Sequence, residues 1–229
     1  MKTLIIVAHP KLVESGTQQF LKTSLANMSE VTWHVLAPKQ AHFDVSNEQA
    51  LLKAHDRIVF QFPLYWYSAP AILKQWEDEV LTRNFVYGTQ QALAQKELGV
   101  VVSTGDPQRD FKAGSSEQFT LSELLRPYQA LANKAQMTYL PPFTIFQFAY
   151  LSETEKQQLV VNYQQYITNT DFESFHGREL WFEQQLKQKI KVNPDLQKLP
   201  QILTAIQDNR ENLEELGWTL SMIKDDEDE

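Results

Sequence analysis

Hydroxyls, aromatic rings and a histidine follow three short apolar runs of this chain, and together they are the groups that could hold a flat, anionic ligand. After the run Thr3 to Ala8 comes the stretch from His9 to Gln18, which ends at a helix start signal, Ser15 with Gln18 three residues later. A helix N-terminus presents unpaired N–H donors and the positive end of a dipole, so His9, Ser15, Thr17 and Gln18 could cradle a phosphate. The same spacing is satisfied if Ser15 and Gln18 do no more than cap their helix. After Arg57 to Phe62 come Pro63, Leu64, Tyr65, Trp66, Tyr67, Ser68, Ala69 and Pro70, three consecutive aromatics between two prolines. Loops run over the surface, where so much aromatic area is unfavourable unless something planar covers it. The alternative is that the rings, Tyr65 first among them, fill a gap beneath the following helix. After Leu98 to Ser103 comes the turn Ser103, Thr104, Gly105 and Asp106, whose glycine can take positive φ and let the backbone approach a ring closely.

Other chemistries are excluded by what the chain lacks. With no cysteine among 229 residues there is no disulfide, thiolate nucleophile or zinc–thiolate site, and the five histidines at 9, 34, 42, 55 and 176 show no ligand spacing. The seven glycines at 16, 88, 99, 105, 114, 177 and 217 include no pair separated by one residue, so a G-x-G-x-x-G fingerprint is impossible. A Gly-Lys-Ser/Thr triplet is absent too. The net charge is −8, of which five units come from Asp225, Asp226, Glu227, Asp228 and Glu229, leaving the body near −3. That balance, without a basic cluster, argues against nucleic acid as a partner. The apolar start ends at His9-Pro10 after six residues, too short for a signal peptide or a membrane span, so a soluble cytoplasmic protein is expected.

The elements that must position these loops read as alternating strands and helices. Strands are expected at Thr3 to Ala8, Val31 to Leu36, Arg57 to Phe62, Leu98 to Ser103 and Phe143 to Phe148. Capping-box pairs at Ser15/Gln18, Ser46/Gln49, Thr120/Glu123 and Ser152/Glu155 mark helix starts between them, and Ser68 with Pro70 in the first turn marks another. Five strands alternating with five helices indicate an α/β fold, a doubly wound parallel sheet covered on both faces. In such a sheet ligands bind beyond the carboxyl ends of the strands, where the first, third and fourth loops converge. Trp33, Trp76 and Trp218 are expected in core or edge packing, and His34, His42 and His55 at the surface.

Residues 1–170 form the expected α/β domain, and 171–229 an extension of three amphipathic helices. Phe172, Phe175, Phe182, Leu186 and Ile190 mark the first, Leu196, Leu199, Leu203 and Ile206 the second, and Leu213, Leu216, Leu220 and Ile223 the third. The acidic terminus reads as a solvated, mobile end.

The stretch Val59 to Trp76 (VFQFPLYWYSAPAILKQW), with Ala8-His9-Pro10 and Ser103-Thr104-Gly105, resembles the flavodoxin-like NAD(P)H:quinone oxidoreductases. Nearer relatives by this likeness are modulator-of-drug-activity proteins and the ancillary oxidoreductases of potassium-efflux systems. The likeness covers about residues 1–168, and Leu121 to Pro127 and Tyr139 to Phe143 extend it beyond the loops. It implies a flavodoxin-like five-stranded sheet and a bound flavin, FAD or FMN, that passes hydride from NAD(P)H to a quinone by a ping-pong mechanism in a homodimer. It also implies that His9, Ser15, Thr17 and Gln18 meet the phosphate and ribityl region. Pro63, Leu64, Tyr65, Trp66 and Tyr67 would then flank the ring, with Ser103, Thr104 and Gly105 along its pyrimidine side. The extension has no counterpart in the likeness and is expected to pack its apolar faces on the sheet's outer helices or on a partner subunit; the alternative is that in a dimer Phe175, His176, Arg178 and Trp181 contribute to an active-site mouth. Three positions depart from the family: Gln18 replaces an asparagine, Asp106 a second glycine, and Phe111 a tyrosine thought to assist charge transfer in the animal enzymes. A carboxylate at 106 beside the ring would oppose an anionic reduced flavin. The alternatives are a regulatory subunit ancillary to a potassium-efflux transporter and a one-electron carrier, whose acidic surface suits a basic redox partner.

Overall fold

The computed structural model describes residues 1–37, 41–192 and 198–227. They form two compact units, Met1–Thr168 and Asn169–Glu229.

In the first unit, β1 (Thr3–Val7), β2 (Val31–Val35), β3 (Arg57–Pro63) and β4 (Glu97–Thr104) pair in parallel in the order β2-β1-β3-β4. Beyond β4 lie two short segments, β5 (Thr138–Tyr139) and β6 (Phe143–Phe146), both parallel to it. They share one strand position that Leu140, Pro141 and Pro142 interrupt, because proline has no N–H to give the ladder. The fifth strand is therefore split, and it ends two residues before the expected Phe148. Helices α1 (Gly16–Ser24), α2 (Val45–Ala54), α3 (Ala71–Val80), α4 (Arg83–Val86), α5 (Leu121–Leu124), α6 (Arg126–Lys134) and α7 (Glu153–Thr168) connect and cover the sheet.

Every residue of β1 and β3 is buried, as a parallel strand covered on both faces requires. Ile6, Phe60, Phe62, Val100 and Val102 meet Trp76 and Tyr128 in one core, where Phe60 packs edge-on to both rings at centroid distances of 5.8 Å. The expected capping boxes hold at Thr120/Glu123 and Ser152/Glu155. At α2 the cap is Asp44, which accepts from the Asn47 N–H at 3.1 Å, so Ser46 lies inside the helix. Pro70 is the residue before α3, not part of its first turn.

Two buried polar links fasten α7 beneath the sheet. The Arg57 guanidinium, fully buried, donates to Glu97 at 2.6 Å and to the Tyr166 carbonyl. A second chain of bonds runs from the Tyr163 hydroxyl to Gln61 Oε1 and from Gln61 Nε2 to Gln18 Oε1, each 2.6 Å long. Burial pushes the Tyr163 hydroxyl well above its ordinary pKa, so it stays a donor. Replacing Arg57 with methionine strands the Tyr166 carbonyl and the Glu97 carboxylate. It is expected to lower stability by about 3 kcal/mol, read as a lower urea midpoint at unchanged m-value.

His55 and His34 are not the surface residues expected. His55 is buried, bonded to Thr32 Oγ1 at 2.8 Å and to the Leu51 carbonyl at 2.7 Å. His34 is half-buried, 2.9 Å from Glu48, which also accepts from the Trp76 indole N–H at 2.8 Å.

The second unit contains α8 (Phe175–Val192) and α9 (Lys198–Glu227), which pack on one another. Glu183 of α8 accepts from Gln207 at 2.7 Å and from Arg210. The second and third expected helices are one, because the polar stretch from Gln207 to Asn212 contains neither proline nor glycine to break it. Leu196 lies outside the described residues. The acidic run stays helical to Glu227. Trp218 is exposed rather than packed, whereas Trp181 is buried edge-on to Phe182. Among the described residues, no helix is long and apolar enough to cross a membrane, and no group of three or more His, Asp or Glu is placed to hold a metal.

Candidate functional site

The sheet order places β2 on one side of β1 and β3 on the other, so the chain reverses its winding direction between β1 and β3. A crevice opens at such a switch point, outside the carboxyl ends of the strands. A cavity of about 440 Å³ lies there, lined by His9, Ser15, Gly16, Thr17, Pro63, Leu64, Tyr65, Ser103, Thr104, Gly105 and Gln147 to Tyr150. The loops after β1, β3 and β4 thus meet in one place.

One end of the cavity is a set of neutral hydrogen-bond donors. Ser15 caps α1, its Oγ accepting the Gln18 N–H at 3.3 Å, while its carbonyl accepts the Gln19 N–H. Gly16 and Thr17 open the helix, where backbone N–H groups have no acceptor within the helix. No group among the described residues accepts from either. His9 Nδ1 accepts the Lys11 N–H at 3.0 Å, which assigns the ring proton of the neutral imidazole to Nε2. Burial lowers the His9 pKa, so the ring is neutral at pH 7. Among the described residues, no lysine or arginine lines the cavity. A phosphate at this end would be met by N–H and hydroxyl donors and the helix dipole, the means by which helix N-termini bind anions.

Gln18 does not line the cavity. It is buried, with its side chain committed to Gln61 beneath the loop, so of the two readings the cap applies only to its backbone N–H.

The other end is aromatic. Tyr65 and Ser68 exchange both backbone hydrogen bonds, at 2.9 and 3.1 Å, around Trp66 and Tyr67, which take φ of 49° and 62°. Two central residues with positive φ make a type I′ turn, which normally selects Asn-Gly. Bulky aromatics in this conformation carry strain on the order of 1–3 kcal/mol each, the kind that gathers at ligand clamps. Trp66 is 94% exposed and Tyr67 half exposed, so neither fills a gap beneath α3. Tyr65 stands edge-on to His9 at 6.4 Å. The strain therefore holds the Trp66 and Tyr67 rings toward solvent; of the three aromatics, Tyr65 lines the cavity and the other two do not.

Gly105 lines the cavity without the positive φ expected of it, and a Cβ there would meet no atom within 4 Å. Its contribution is the absence of a side chain. Asp106 is exposed; its N–H donates to Thr104 Oγ1 at 3.1 Å. Asp106, Phe111 and Glu117 line a smaller space of about 190 Å³ with Leu64, Trp66, Tyr67 and Thr104, so it shares two walls with the larger cavity. Phe111 is buried and packs near Phe146, centroids 6.2 Å apart. The Tyr67 hydroxyl, hydrogen-bonded to Glu117, has its pKa raised first by that bond and then by the carboxylate charges of Glu117 and Asp106.

The fourth wall, Gln147 to Tyr150, is absent from the sequence expectation. Gln147 takes φ of 46° and turns the chain out of β6 into a single 3-10 turn, Phe148–Tyr150. In the second unit, Phe175, His176 and Arg178 are exposed and Trp181 is buried.

Holding His9 below its ordinary pKa of about 6.5 has a consequence for stability. On acidification the unfolded chain takes up its proton first, so this contribution is complete above about pH 6.5 and is lost as pH falls through the folded value. His9→Gln is expected to flatten that part of the pH dependence of the urea midpoint.

Residues 1–168 match the Flavodoxin_2 family, whose description is a flavodoxin-like fold. Over 158 residues, 68% of this chain and 91% of the relative, the protein is 46% identical to the uncharacterized NAD(P)H oxidoreductase YrkL of Bacillus subtilis. A solved structure named as an NADPH-quinone reductase of P. pentosaceus superposes with a TM-score of 0.72 at 56% identity, covering 74% of this chain and 99% of that one. Another, general stress protein 14 of Treponema denticola in complex with FMN, superposes at 0.66 with 34% identity, covering 73% and 98%.

Proposed function

The chain belongs to this flavodoxin-like family, and from that premise we propose that it is an NAD(P)H-dependent quinone reductase whose cavity holds FMN. The observation that carries the reading is a cavity with a neutral phosphate cradle at one end and Tyr65 at the other, where the strained Trp66–Tyr67 turn borders the adjoining space. The residues fit the group: Gly16 and Thr17 amides, Ser15 and Thr17 hydroxyls and His9 Nε2–H bind the phosphate and ribityl chain, and Leu64, Tyr65 and Trp66 flank the ring. The Leu64, Tyr65 and Asp106 amides are engaged within the chain. The Trp66, Tyr67 and Gly105 amides are thus the loop donors open to the polar edge of a ring. Pro63 is itself a wall of the cavity, while Gln18 and Phe111 act from behind, by positioning the walls. FMN is preferred to FAD because the general stress protein 14 relative is named with FMN and the donor cluster suits one phosphate.

When bound, the flavin accepts hydride from the reduced nicotinamide and donates it to the quinone. Reductant and acceptor then use one cavity in turn, which requires ping-pong kinetics. Because the reductant is an intracellular coenzyme, the reading places the protein in the cytoplasm, with a homodimer as its working unit. The test is NADPH oxidation with menadione by the flavin-loaded protein, with identification of the released flavin. Parallel double-reciprocal lines and FMN are expected. A flavin-loaded protein that turns over neither substrate would favour a carrier or ancillary subunit instead.

Asp106 and Glu117 line the space beside the ring cavity, and among the described residues no basic one joins its walls. Two carboxylates at roughly 7 Å in solvent-like surroundings disfavour an anionic acceptor about five- to tenfold. Asp106→Asn/Glu117→Gln is expected to raise kcat/KM for anthraquinone-2-sulfonate by that factor relative to neutral menadione at low salt, and the difference should shrink as salt screens the charges.

A further inference from the structure

Helix α9 carries a pattern that the cavity does not use. With Leu199 as position a of a heptad, Leu199, Ile206, Leu213 and Leu220 fall at a, and Ile202, Asn209, Leu216 and Ile223 at d. The 3-4 spacing holds from 199 to 223 with Asn209 as its single polar member. That is the seam of a coiled coil, where an isolated polar residue fixes register.

Helix α8 covers only the first part of this helix. Leu199, Leu203, Ile206 and Arg210 are half-buried, and Gln207 and Arg210 bond to Glu183. From Glu211 to Ile223 every residue is exposed, with Leu213, Leu216, Leu220 and Ile223 each at least half exposed. An apolar stripe on a helix needs a second surface, since a helix in water draws most of its stability from packing that face.

The charges point to what covers it. Asp208, Glu211, Glu214 and Glu215 fall at c, f, b and c, outside the seam. Within the seam from Leu199 to Ile223 the flanking positions at e and g are Leu203, Ala205, Arg210, Asn212, Gly217 and Thr219, of which only Arg210 is charged, and it is bonded to Glu183. Two copies of α9 can therefore meet without like charges facing each other, whereas the acidic outer positions oppose an anionic membrane. Leucine at a with isoleucine at d, as at 220 and 223, favours assemblies of more than two helices. Two α8–α9 pairs supply four.

We propose that the α9 seam from Leu213 to Ile223 is an interface between two copies of this chain, each contributing its α8–α9 pair to a four-helix assembly.

Sedimentation equilibrium on the full-length protein tests it with two variants on opposite sides of the helix. Leu216→Glu/Leu220→Glu changes two exposed seam residues and is expected to halve the assembly mass at equal concentration, with the helical circular dichroism of the folded chain retained. Trp218→Glu/Met222→Glu alters exposed residues at f and c, five and nine positions after Leu213 and so about 140–180° around the helix from it. It is expected to keep the wild-type mass. Equal masses for the wild type and the seam variant overturn the proposal. So does an equal loss of mass in both variants, or loss of helical signal in the seam variant alone, since exposed positions without a partner tolerate glutamate.

Discussion

Gly16→Leu is expected to leave the apoprotein as stable as the parent, or about 0.5–1 kcal/mol more so, while weakening flavin binding by about two orders of magnitude. Gly16 is the first residue of α1, and its φ lies outside the left-handed region, so leucine is compatible with the backbone and improves helix propensity. A Cβ at this position has one neighbour within 4 Å, Phe148 Cε1 at 3.9 Å. Gly16 and Phe148 both line the cavity, so the remainder of a leucine side chain must extend into the space that they bound. The donors of the first turn would then be screened from a phosphate. Thermal melting of the apoprotein and fluorescence titration with FMN separate the two effects. A drop in both would show that Gly16 is needed for folding rather than for the cradle.

The aromatic turn makes the opposite trade between stability and function. Replacing Trp66 with asparagine and Tyr67 with glycine installs the residues that a type I′ turn selects, without disturbing the Tyr65–Ser68 bonds around it. Relief of two left-handed aromatic residues is expected to stabilise the apoprotein by about 2 kcal/mol, raising Tm by roughly 4–8 °C for a chain of this size. The same change removes the indole and phenol beside the cavity, and flavin affinity is expected to fall at least tenfold, about 1.4 kcal/mol. Melting curves and titrations on the single variants would show how each residue shares in the strain. If the double variant melts lower than the parent, the turn carries no stored strain and its aromatics are structural.

Much of this site was legible because it rests on strand ends. The apolar runs before His9, Pro63 and Ser103 are long and buried on both faces, so the residue pattern alone marks their ends and the loops after them. The fourth wall was hidden by continuity of composition. Phe143 to Phe148 reads as one apolar run, but Gln147 adopts a left-handed conformation to which no residue type there gives a clue. Applying the strand-end rule two residues earlier would have reached Gln147 to Tyr150. Gln18 misled for another reason: hydrogen-bonding capacity suggested the ligand, while helical spacing put it three and seven residues before the buried Leu21 and Leu25. Here the periodicity was the better guide. Burial of His55 depends on Thr32 and the Leu51 carbonyl being brought together by the fold, which spacing alone does not reveal.

Quinone reduction by this chain requires a tricyclic ligand bound between the loops that carry Thr17, Trp66 and Thr104. Titration of flavin-free protein with FMN, followed by quenching of flavin fluorescence, addresses this directly. Saturation at one FMN per chain is expected, with Gly16→Leu failing to saturate over the same range. A protein that binds neither FMN nor FAD while its sheet unit is folded would contradict the account.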